Sequence, residues 1–214
     1  MQSSSLLHAE SFHPIFKTRI LAPDSKNCSL HLHYFLPRSV FVDPYELSNR
    51  ADDYSFQYIG PSNLELPVAA LRQDAALLLS IVRPLSDDGI LDVEVPLHMR
   101  YGPAALGSSF ELTELPWPDA FFACPHKSAS SDRLPLMLRD FAILFDKTDI
   151  MRLEPPSGAI PFEMIRTPVG DTAHVARVEL GTAIVMLAAF FYLLRATLRT
   201  MRRMSIVTLP AKEE

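Results

Sequence analysis

From Leu180 to Leu194 the chain reads LGTAIVMLAAFFYLL, fifteen residues without a charge and apolar on every side of a helix. A run of this kind is covered either by a protein core or by a bilayer. Val178 before it and Ala196, Thr197 and Leu198 after it extend it to bilayer length, with Glu179 and Arg195 near the ends, where polar heads reach the interface. About twenty residues at helical rise cover roughly 30 Å, the thickness of a hydrocarbon core. The flank that follows, RATLRTMRR, is basic, which core helices seldom need and which the positive-inside rule assigns to the cytosol. The sequence therefore predicts a domain on the lumenal or outer side over 1–177, with 167–177 as its connector, a transmembrane helix over 178–198, and a short basic cytosolic tail over 199–214. A buried core helix is the alternative. The opening MQSSSLLHAESFHPIF has neither a basic n-region nor a long enough apolar h-region for a signal peptide. This topology therefore expects either a start upstream of Met1 or insertion by the terminal helix acting late.

The charge is divided accordingly. Beyond Arg177, Arg195, Arg199, Arg202, Arg203 and Lys212 stand against Glu179, Glu213 and Glu214, a balance of +2, so residues 1–177 carry −7 of the total −5. An acidic bulk without a basic stripe argues against nucleic acid as a partner. Eighteen prolines against seven glycines favour many short segments over long soluble helices. Candidate strands follow one another at 15–21, 29–36, 39–42, 54–59, 76–82, 91–101, 109–115, 119–124 and 141–145, separated by Pro, Asn, Asp and Gly. That spacing predicts a mainly β domain, an antiparallel sandwich or barrel, followed by one C-terminal transmembrane helix. LPVAALRQDAALLLSIV also fits a helical period, and HKSASSDR, 126–133, reads as a polar loop.

The clearest strand is LDVEVPLHMRYGPAA, 91–105, with Leu91, Val93, Val95, Leu97 and Met99 on one face. Asp92, Glu94, Pro96, His98 and Arg100 form its polar row, and Pro96 points to an edge or a bulge. His98, Arg100 and Tyr101 resemble a polar constellation, but the adjacent sequence supplies no nucleophile, so a solvated face or contact patch is the expectation. His31 and His33 share one strand face, a usable metal-ligand geometry with no third ligand related to it in sequence. Asp52-Asp53 and Asp87-Asp88 read as solvated turns. The chain has no G-x-S-x-G, Walker, G-x-G-x-x-G or H-E-x-x-H motif. Cys28 and Cys124 are either two buried thiols or one disulfide of an oxidising compartment. Asn27-Cys28-Ser29 fits a glycosylation acceptor, where a glycan and a disulfide would compete.

Two blocks, LPRSVFVDPYELSN (36–49) and VPLHMRYGPA (95–104), followed by a single C-terminal span, resemble the PIG-X family, which includes the fungal Pbn-type proteins. FFACP (121–125) and TPVG (167–170) follow in order, so the resemblance covers about 30–195. It implies a non-catalytic, stabilising subunit of glycosylphosphatidylinositol mannosyltransferase I, single-pass in the endoplasmic reticulum membrane with its N-terminal domain lumenal. It also implies a multi-span catalytic partner of PIG-M type, which transfers the first mannose. No cofactor is implied. Asp43, Pro44, Tyr45, His98, Arg100 and Tyr101 are then motif or partner-contact residues, while Gly181 and Ala188, with Thr182, Ala183 and Ala189, offer a close-packing surface on the span. Competing readings are a lumenal hydrolase or lectin-like protein using His98 or the His31/His33 pair, and a cell-surface adhesion or receptor domain.

Overall fold

The computed structural model describes residues 1–22, 27–61, 63–83, 88–107, 110–125, 135–145 and 148–207. Asp87, the predicted 126–133 loop and the tail beyond 207 lie outside them. The strands are β1 (Gln2–Leu7), β2 (Ile15–Leu21), β3 (Ser29–Leu36), β4 (Val40–Phe41), β5 (Tyr54–Ile59), β6 (Ala75–Ile81), β7 (Ile90–Pro96), β8 (His98–Met99), β9 (Phe110–Pro116), β10 (Asp119–Pro125), β11 (Thr148–Leu153) and β12 (Phe162–Pro168). Two α-helices, α1 (Pro44–Ser48) and α2 (Val175–Val207), complete the regular elements with short 3-10 turns. The chain is thus mainly antiparallel β with one C-terminal apolar helix.

The β elements lie in one compact unit, residues 1–104 and 108–170. Its largest sheet runs β11-β10-β3-β6-β5; the others are β1-β2-β7, β12-β9 and β4-β8. Strand alternation explains how the large sheet is used. Leu30, Leu32, Tyr34 and Leu36 of β3, with Leu77 and Leu79 of β6 and Ala120 and Phe122 of β10, face a core shared with Phe16 and Ile20 of β2, Val93 and Val95 of β7, Leu115 and Ile165. On the opposite face Leu78, Phe121 and Ala123 meet Leu138, Phe141 and Phe145. The sheet is thus covered on both faces, while β3 itself alternates, with Leu30, Leu32 and Tyr34 on one face and His31 and His33 on the other. Cys28 and Cys124 are joined, tying the start of β3 to the end of β10 across a sequence separation of 96.

β1, β11 and β12 are strands outside the predicted set, and one predicted strand, 141–145, is not a strand. That stretch belongs to 3-10 turns over Leu136–Phe145, broken at Phe141, which bring Leu138, Phe141 and Phe145 onto the second face of the sheet. LPVAALRQDAALLLSIV, which also fits a helical period, holds only the 3-10 turn Val68–Ala70 and then β6, the strand expected at 76–82. β1 is a strand without apolar alternation. Its anchor is polar: Gln2 is buried, donates from Nε2 to Pro118 O (2.7 Å) and accepts from Ala120 N (3.0 Å), as a peptide group would.

The second unit comprises 105–107 and 171–214. Asp171 accepts from Ala173 N (2.8 Å) and from Gly107 N (3.3 Å), closing the turn that starts the helix. At 33 residues, α2 is about 50 Å long, more than a bilayer core needs. It is long and apolar enough to cross a membrane, and none of its apolar window is buried against protein.

Candidate functional site

The 91–105 stretch does two jobs, and Pro96 divides them. Up to Pro96, strand β7 pairs with β2, and its polar row is spent on cross-strand ion pairs: Arg19 grips Asp92 through Nε (2.7 Å) and Nη2 (2.9 Å), and Lys17 lies 3.4 Å from Glu94. The Arg19 guanidinium, helped by Lys17, holds the Asp92 carboxyl down at about 2. Beyond Pro96 the pairing on the β2 side runs on in register, and a second partner joins the chain. Leu97 N donates to Pro14 O, Met99 N to Phe12 O and Arg100 N to Ser39 O, at 2.8–2.9 Å. β8 then pairs with β4, Phe41 opposite His98 and Val40 opposite Met99. The two sequence blocks 36–49 and 95–104 are therefore one structural joint.

The first block builds its half locally. Asp43 caps α1, its Oδ1 accepting from Tyr45 N (2.8 Å), and Pro44 occupies the first helical turn with its φ already set. One turn on, Leu47 is fully buried and Glu46 is aimed at the second block. His98 donates from Nε2 to Glu46 Oε2 at 2.7 Å. Its ring is stacked on Phe41 (5.2 Å between centroids) and meets His13 edge-on (4.9 Å). Tyr101 packs on Phe12 (4.5 Å) yet stays 73% exposed, and Tyr45 is 83% exposed.

Arg100 departs from the expected solvated row: only 5% of it is exposed. Its Nη1 donates to the carbonyls of Leu64 and Leu66, both at 2.6 Å, its Nη2 to that of Asn63 at 3.3 Å, and its guanidinium carbon lies 4.5 Å from the centre of the Phe41 ring. One planar fork thus gathers a loop that has no ladder of its own. Burial pushes the Arg100 pKa down, opposed by Tyr58 and Glu65. A hollow of about 400 Å³ lies against Asp43, Glu65 and Tyr101, and another of about 530 Å³ against Glu10, Phe12 and His13. Both are open concavities bordered by His98 and Phe41.

The other candidates lie elsewhere. His31 and His33 do share a face, but that face is covered rather than half-exposed, at 7% and 6%. Ser29 Oγ sits 2.7 Å from His31 Nε2 and Ser80 Oγ 3.0 Å from Nδ1, so both ring nitrogens are engaged. Burial lowers the His31 pKa to about 4, which keeps the ring neutral. His33 Nδ1 lies 3.9 Å from Asp119, which is also ion-paired with Arg152. Among the described residues no three His, Cys, Asp or Glu side chains come together as a metal site. Asn27 is exposed at φ 70°, beside the bonded Cys28. Gly181 and Ala188 are exposed on α2, two turns apart. The residues missed in the sequence are Glu46 and Phe12. Glu46 was legible as the third residue after the capping Asp43, whereas Phe12 had no signal because it reaches the joint through tertiary pairing alone.

Comparison with known proteins matches residues 9–198 to the family described as PIG-X / PBN1. The chain is 28% identical over 213 residues to protein pbn1 of Neurospora crassa, covering 90% of this chain and 42% of that one. It is 29% identical over 178 residues to protein pbn1 of Schizosaccharomyces pombe (78% and 50%), and 26% over 218 residues to protein PBN1 of Yarrowia lipolytica (88% and 41%). The chain spans half or less of the length of these curated relatives.

Proposed function

The chain belongs to the PIG-X / PBN1 family, and on that premise we propose that it is a non-catalytic, stabilising subunit of glycosylphosphatidylinositol mannosyltransferase I. In this reading the β domain is lumenal, α2 crosses the endoplasmic reticulum membrane, and the partner is a multi-span mannosyltransferase of PIG-M type. The observation that carries it is the family match over 9–198, which includes both halves of the joint. The joint supports a binding role over a chemical one. His98 and Arg100, the groups that could suggest catalysis, are committed to Glu46 and to backbone carbonyls. The exposed aromatics Tyr45 and Tyr101 are the surface we assign to partner contact, while Asp43, Pro44 and Arg100 hold the shape beneath it.

The span would make a second contact. Polar or small groups on the helices of a multi-span enzyme need close neighbours in the bilayer, and Gly181 and Ala188 present no bulk. Bulky substitutions there, G181L or A188L, are expected to lower co-purification of the mannosyltransferase. Asn27 is the proposed glycan acceptor, read out as a mobility shift on enzymatic deglycosylation that N27Q abolishes. The function itself is tested by removing the protein from its own cells and following the level of the mannosyltransferase together with surface display of lipid-anchored proteins. Both should fall; normal levels of both would refute the proposal.

A further inference from the structure

We propose that the last turns of α2 form a binding site for anionic phospholipid headgroups, those of the leaflet that the helix leaves. The inference rests on the reading of α2 as a membrane span. The helix does not end with its apolar run but continues unbroken to Val207. The hydroxyls of Thr197 and Thr200 donate to the carbonyls of Leu193 (2.9 Å) and Ala196 (3.1 Å), within intact helical turns. At 3.6 residues per turn, Arg195, Arg199, Arg202 and Arg203 fall within an arc of about 100°. Leu194, Leu198 and Met201 form a separate row, and all seven side chains are exposed.

A flexible basic tail would spread its charge in all directions. A rigid helix instead presents four guanidinium groups on one side, Arg199 about 6 Å and Arg203 about 12 Å beyond Arg195 along the axis. The headgroup layer is about 5–8 Å deep per leaflet, and arginine stems reach back along the helix, so all four lie within range of phosphate oxygens. Guanidinium takes such oxygens in pairs, and basic residues near an anionic surface add to its hold on the lipid. The occupant is lipid because the arc starts at the end of the apolar run: Arg195 directly follows Leu194, at the depth where headgroups already stand. The apolar row keeps one side of the same turns suited to hydrocarbon.

The test uses the full chain reconstituted in phosphatidylcholine bilayers containing a minority of phosphatidylserine or phosphatidylinositol, with co-purifying lipids counted by native mass spectrometry. The wild type should enrich the anionic lipid over its bulk fraction. R195Q/R199Q/R202Q/R203Q should lose that enrichment and return the anionic lipid to its bulk fraction. A charge-conserving variant, R199T/T200R with R203M/M204R, disperses the arc and should fall between the two. Equal enrichment in all three overturns the site, as does full enrichment by the dispersed variant, which would mean that charge alone suffices. Retention of an acidic polypeptide in place of lipid also overturns it. Alkaline extraction separates the premise from the inference: release of the wild type refutes the span itself, whereas a neutralised variant that resists extraction and has lost its lipid supports the site.

Discussion

The joint between 36–49 and 95–104 and the helix α2 solve opposite problems. At the joint, charged groups are turned inward and given partners: Arg100 takes three carbonyls and His98 takes Glu46. On α2 every described side chain is exposed, apolar ones included, as a helix that meets a membrane would have them. The contrast teaches that the β domain carries its own stability while the helix depends on its surroundings. Changes in the first should register as unfolding, and changes in the second as lost association.

The domain side should break hardest at its disulfide. In the chain-entropy account, removing a link across 96 residues with C28S/C124S costs about 4–5 kcal/mol, read by denaturant unfolding of the full chain in detergent. R100M should cost about 3 kcal/mol or more by leaving the carbonyls of Asn63, Leu64 and Leu66 without their donor, and R100K should recover little because an ammonium cannot fork. A loss under 1 kcal/mol would mean that the guanidinium is dispensable. Acid should act through His31. Its folded pKa of about 4 lies below the unfolded value near 6.5, so the unfolded chain takes the proton first as pH falls. Stability from this group is intact above about 6.5 and is lost between 6.5 and 4, by up to about 3 kcal/mol, and H31Q should flatten that slope. E46Q should cost only about 1 kcal/mol, since its pair with His98 is partly in water. Smallest of all, L187A should leave domain unfolding within about 0.5 kcal/mol. A larger effect there would erase the distinction between the two regions.

Much of this was legible in the chain because it depended on alternation. Leu91, Val93, Val95, Leu97 and Met99 are all buried, as their period-2 spacing requires, and the apolar run is one long exposed helix. What escaped depended on pairing at a distance. Gln2 reads as a polar surface residue until Pro118 and Ala120 supply its partners, and Arg100 reads as solvated until the 63–66 loop folds over it. A strand pattern also carries no record of a second cover. His31 and His33 read as surface or half-buried rings because nothing in β3 announces Phe141 and Phe145. Pro96 marked a break, but the arrival of β4 beside the chain just beyond it belongs to the tertiary structure.

The proposed stabilising role makes a claim that the amount of enzyme, rather than its chemistry, depends on this chain. The most direct measurement is mannosyl transfer per molecule of the multi-span partner in membranes depleted of this protein. The account predicts that the quantity of partner falls several-fold while transfer per remaining molecule changes less than about twofold. An unchanged quantity of partner with transfer abolished would contradict it, and would place this chain in the reaction itself.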